Sequence, residues 1–128
     1  MASFEPDDTW LFLALARSDG GSLAGFLSSA DHINRGLPTY DGVQQSLGRL
    51  LATGLVAKTD AWLALTDSGR ALFASVGGLS AQPMNQLMAA GAALQSTPLP
   101  FGTVAPYPVP RELFDYCVRT HSQSAPRG

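Results

Sequence analysis

Residues 71–110 contain no aspartate, glutamate, lysine or arginine, a run of 40 uncharged positions. This run constrains the fold more than any motif, because the surface of a soluble monomer is normally charged. It is not apolar enough for a bilayer. The longest apolar stretches of the chain, 10–16 and 88–94, are seven residues each, against ~20 for a membrane span. Much of the run must therefore be covered, by its own domain or by a partner chain.

A chain of 128 residues that is 45% hydrophobic has material for one core. That excludes wholesale disorder and fits one domain, with or without an extension. Eight Lys+Arg against ten Asp+Glu give a net charge of -2 and a pI near 5.5, which argues against a strongly basic nucleic-acid binder. One cysteine excludes an internal disulfide framework and a multi-thiolate metal site within one chain. The start, MASFEPDDTW, has the wrong sign for a signal peptide. A cytoplasmic protein without a membrane span is expected.

Helical periodicity and caps organise the first half. Pro6, Asp7 and Asp8 suit a first turn, and WLFLALA behind them is apolar on all faces, so this helix is buried. Gly20 and Gly21 stop it. Ser22 caps a second helix with Leu23, Phe26, Leu27, Ala30 and Ile33 on one face, ended by Asn34, Gly36 and Pro38. Thr39 caps a third, with Val43, Leu47, Leu50 and Leu51 inward and Asp41, Gln44, Gln45 and Arg49 outward. Gly54 stands where a left-handed residue closes a helix.

Two β-capable runs follow, 55–58 and 61–65, with only Thr59 and Asp60 between them, which is hairpin length. Thr66 caps a fourth helix over 70–76, broken by Gly77 and Gly78. A fifth runs from Pro83 to Gln95 with the stripe Met84, Leu87, Met88, Gly91 and Leu94. After a Pro-rich stretch, 111–120 makes a short last helix with Leu113, Phe114 and Cys117 inward. The sequence HSQSAPRG reads as a frayed tail.

The order helix, helix, helix, hairpin, helix resembles a winged helix-turn-helix, mainly α with a two-stranded β wing and additional C-terminal helices. Two segments carry the resemblance. LGRLLATGLV, 47–56, looks like the end of a recognition helix and the first wing strand of bacterial winged-helix regulators. WLALTDSGRALF, 62–73, looks like their second wing strand and the following helix. Together with the preceding helices these cover roughly residues 6–76. At the wing the chain is similar to the multiple-antibiotic-resistance and phenolic-acid-decarboxylase regulator groups. The expected organisation is a winged domain over 1–78, an additional helix over 79–96 for dimerisation, and a Pro-rich extension with a terminal helix over 97–128.

The resemblance implies a homodimeric transcriptional regulator that binds double-stranded DNA. The third helix would enter the major groove, with Thr39, Tyr40, Gln44, Gln45, Ser46 and Arg49 facing bases or phosphates and Lys58 touching backbone. Met84, Leu87, Met88, Gly91 and Leu94 would form the dimer seam, or else core within one chain. A second reading belongs to another class: a winged-helix protein-interaction module without DNA binding. It is motivated by the balance of residues 38–70, where Arg49, Lys58 and Arg70 face Asp41, Asp60 and Asp67. A dimer offers about six basic groups, with Arg35 included, where a site engages ~6–10 phosphates. Gly42 and Gly48 each weaken the third helix by about 1 kcal/mol against Ala, and Gly42 cannot supply a capping-box carboxylate.

Other signals read plainly. Trp62 is an anchor for a ligand or partner, or packs on a neighbour. An effector pocket near Trp62 or the Pro-rich tail is a weaker third idea. His32, beside Asp31, reads as a helix-end contact. Cys117 and His121 have the spacing of two ligands on one helical face but no further ligand nearby, so Cys117 reads as a small buried group. The signatures of hydrolase, nucleotide-binding and zinc-peptidase sites are missing from the sequence. No enzyme, cofactor or metal is expected.

Overall fold

A computed structural model describes residues 4–18, 22–60, 62–96 and 105–124. They form α1 (Pro6–Ser18), α2 (Leu23–Asn34), α3 (Tyr40–Ala52), β1 (Val56–Lys58), β2 (Leu63–Leu65), α4 (Asp67–Ser75), a 3-10 turn (Gly78–Ser80), α5 (Pro83–Gln95) and α6 (Arg111–Ser124). The described chain is mostly helical with one small antiparallel sheet, an α+β architecture.

α1 is the centre of the molecule. Every residue from Asp8 to Ala16 is buried, as a run apolar on all faces requires. α2, α3, α4, α5 and β2 pack around it. Trp10 Nε1 donates to the Ala30 carbonyl at 2.8 Å and ties α1 to α2. The stop expected at Gly20 and Gly21 lies outside the described residues.

The three expected caps form. The side-chain oxygens of Ser22, Thr39 and Thr66 accept from the amides of Gly25, Gly42 and Gly69 at 3.1, 3.0 and 3.2 Å. Each such cap contributes about 1 kcal/mol. The predicted inner faces of α2 and α3 are buried, except that Leu51 is half-buried. Gly54 is left-handed as expected (φ 76°). At the end of α2, however, Arg35 rather than Gly36 takes the left-handed conformation (φ 51°), and its amide donates to the Asp31 carbonyl.

β1 and β2 pair Val56 with Leu65, Ala57 with Ala64 and Lys58 with Leu63. The two-residue link expected at Thr59 and Asp60 is wrong. Thr59 stands opposite Trp62: its amide donates to the Trp62 carbonyl at 3.0 Å, and its Oγ1 accepts from the Trp62 amide at 3.0 Å. The indole is buried between Phe26 and Tyr107, with ring centroids 6.1 and 6.0 Å away, so Trp62 packs within the chain.

Two inner faces also differ from expectation. On α5, Ala90 and Leu94 are fully buried, whereas Met84 and Met88 are 68% and 79% exposed. α6 extends to Ser124, beyond the expected end at 120, so part of the predicted frayed tail is helical. It buries Phe114 and Cys117 but leaves Leu113 45% exposed. One core cluster joins α1, α2 and α3 with Ala90, Leu94, Val109, Phe114 and Cys117.

Candidate functional site: the outer face of α3

The polar side chains of α3 are those expected to read DNA. Most are engaged by other parts of the chain. Asp8, in the first turn of α1, is wholly buried. Its Oδ1 accepts from Ser46 Oγ at 2.6 Å and from Arg49 Nη2 at 2.9 Å. Its Oδ2 accepts from Arg49 Nε at 2.7 Å and from the Glu5 amide at 2.7 Å. Arg49 Nη2 also reaches Glu5 Oε2 at 3.0 Å. The hydrogen bond to Asp8 raises the guanidinium pKa above its ordinary value against the opposing effect of burial. Ser46 is therefore corrected: it lies on the inner side of α3, wholly buried, facing α1.

The Pro-rich extension covers the neighbouring face. Tyr107 donates its amide to the Gln44 carbonyl at 2.9 Å, and Val109 donates its amide to Gln44 Oε1 at 2.9 Å. Tyr40 Oη donates to the Val109 carbonyl. The Tyr40 ring packs 5.3 Å from Phe114, and the Arg111 guanidinium lies over it at 4.7 Å. Tyr40, Gln44 and Gly48 are spaced four apart and share one face. Gly48 lets the extension approach: a Cβ there would stand 2.3 Å from the Ala105 carbonyl oxygen and 3.0 Å from Pro106 Cα. The glycine that weakens the helix in isolation is what this contact requires.

Of the candidate DNA-contacting residues, Thr39, Gln45 and Lys58 remain exposed. Thr39 has its hydroxyl in the cap. Lys58 Nζ lies over the Tyr107 ring at 5.2 Å. The five residues of the expected dimer stripe divide as well. Leu94 is core, Leu87 and Gly91 are half-buried, and Met84 and Met88 point outward beside exposed Ala89 and Ala92. The stripe straddles the boundary between core and surface, so its Leu94 edge is covered and its Met84 and Met88 edge is not.

Cys117 and His121 do not converge on a third ligand: no group of three His, Cys, Asp or Glu side chains among the described residues could hold a metal. His121 Nε2 is 2.8 Å from Asp31 Oδ2 and links α6 to α2. Burial raises the Cys117 thiol pKa.

Sequence reading missed Asp8 and Glu5 as partners of Arg49, and Tyr107 and Val109 as partners of α3. A signal for the second pair exists. Tyr107 and Val109 alternate with Pro106, Pro108 and Pro110, as an extended segment with one buried edge does. The chain matches no family model, no curated protein and no solved structure.

Proposed function

We propose that this chain is a winged-helix protein-interaction module that does not read DNA, and that it works as a homodimer through the outer side of α5. The element order α1–α2–α3–β1–β2–α4 supports the winged-helix part, with Gly54 and the Thr39 and Thr66 caps in the positions the resemblance needs. One observation carries the function: the chain closes α3 with its own groups. Arg49, the single basic residue of that helix, is held by two carboxylates, and segment 105–110 lies against Tyr40, Gln44 and Gly48.

Phosphate binding needs cations free to displace counterions, at ~6–10 contacts for a typical site. Among the described residues, the surface around α3 offers Lys58, Arg35 and Arg111 per protomer, and Arg111 is paired with Asp115. Uncharged Met84, Met88, Ala89 and Ala92 suit a second copy of the same surface, because an isologous contact meets no like charge.

The test is retention of the full chain on a duplex-DNA column at low salt, with the mass measured by light scattering. The reading expects no salt-sensitive retention and a dimeric mass. Salt-sensitive retention that falls in the Lys58→Ala variant would overturn it in favour of DNA recognition.

A further inference from the structure

A hollow lies between the end of α1, β2, α4 and the 3-10 turn. It encloses about 250 Å³, and Leu15, Leu65, Phe73 and Leu79 give it apolar walls. Arg17 and Arg70 stand in the same lining, and no aspartate or glutamate does. Two of the chain's eight Lys+Arg thus share one hollow in a protein of net charge -2.

Arg17 is held there by neutral groups. Its Nη2 donates to the Ala81 carbonyl at 2.8 Å and to Gln86 Oε1 at 2.7 Å. Gln86 is itself buried, and its Nε2 donates to the Gly78 carbonyl at 2.8 Å, which leaves Oε1 turned to the guanidinium. Arg17 Nε is buried without a hydrogen-bond partner among the described residues, and Arg17 forms no ion pair among them. A partly buried cation without a counter-ion is unfavourable, and a carboxylate is the anion that opposes its charge. Arg70 pairs only with Asp67 among the described residues, at 3.3 Å and with both side chains largely exposed. That contact is weak enough for Arg70 to turn toward a second anion.

We propose that this hollow binds a small amphipathic monocarboxylate, its carboxylate between Arg17 and Arg70 and its apolar tail against Leu65, Phe73 and Leu79. An uncharged apolar molecule would leave the Arg17 charge unopposed, and inorganic phosphate would make no use of the apolar walls. The site shares no residue with the closed face of α3 or with the Met84–Met88 side of α5, so it stands apart from the reading above.

An amide-resolved NMR titration of the full chain with sodium octanoate tests it. The expected result is saturable shifts centred on Arg17, Leu65, Phe73 and Leu79. Arg70→Gln, an exposed position, should bind octanoate roughly tenfold more weakly, and 1-octanol should bind the unaltered chain more weakly than octanoate does. Shifts that do not saturate, octanol binding as tightly as octanoate, or an unchanged affinity in Arg70→Gln would each overturn the proposal.

Discussion

Asp8 accepts four hydrogen bonds with no part of its side chain in water. A buried carboxylate is tolerable only when its lone pairs are met and its charge is opposed, and Arg49, Ser46 and the Glu5 amide do both. Removing one partner is therefore worse than removing the pair. Asp8→Ala should lower unfolding stability by about 3–5 kcal/mol, because it removes the acceptor of Ser46 and leaves the Arg49 cation only the exposed Glu5. Adding Arg49→Met should recover part of that loss, measured by urea denaturation. A single-variant loss under about 1 kcal/mol would show that water meets Arg49 equally well. Cys117 makes a different residue-scale claim. Burial raises its thiol above the ordinary 9.0, so the folded state keeps the proton longer than the unfolded state. Below pH 9.0 both states are protonated and this group adds no slope. As pH rises through that value the unfolded chain ionises first, so stability falls. Denaturation at pH 8 and pH 10 of the native chain and of Cys117→Ala should show a steeper loss in the native chain.

The caps of α2, α3 and α4 and the left-handed turn at Gly54 were legible because each is local: a hydroxyl meets an amide three residues on, and one glycine ends one helix. The inner faces of α2 and α3 were legible because the 3.6-residue period reports burial directly. Contacts between distant segments leave no such mark. Gln44 and Val109 are 65 residues apart, and nothing near Gln44 announces its partner. The link between β1 and β2 was misread for a related reason. Local pattern allowed a tight link, but Trp62 has to reach Phe26 and Tyr107 from other elements. Gly48 is the residue where a local penalty hides a long-range requirement. Gly48→Ala gains about 1 kcal/mol of helix propensity but sets a methyl 2.3 Å from the Ala105 carbonyl oxygen. The extension should lift from α3 while the helix persists. Hydrogen exchange would then accelerate at the Tyr107 and Val109 amides, with α3 amides unchanged. Retained protection at both amides would show that the backbone adjusts instead.

At the scale of the whole molecule, the uncharged stretch from 71 to 110 is only partly explained by burial. Ala90, Leu94 and Val109 enter the core, but Leu79, Met84 and Met88 stay largely in water. Met84 and Met88 lie one turn apart on α5 and, with Ala89, Ala92 and the uncharged polar Asn85 and Gln95, leave its outer side free of charge. Such a surface has little to gain from water, and a copy of itself meets it without repulsion. A charge at its centre breaks that match twice in a two-fold dimer, once on each protomer. Met88→Glu is at a position 79% exposed, so it should leave the helical circular dichroism and the unfolding midpoint close to those of the unaltered chain. In light scattering behind a sizing column it should convert a dimer to a monomer, and Met88→Leu should stay dimeric. A monomeric mass for the unaltered chain at high concentration would remove α5 as a self-association surface. The exposed methionines would then have no partner of this kind.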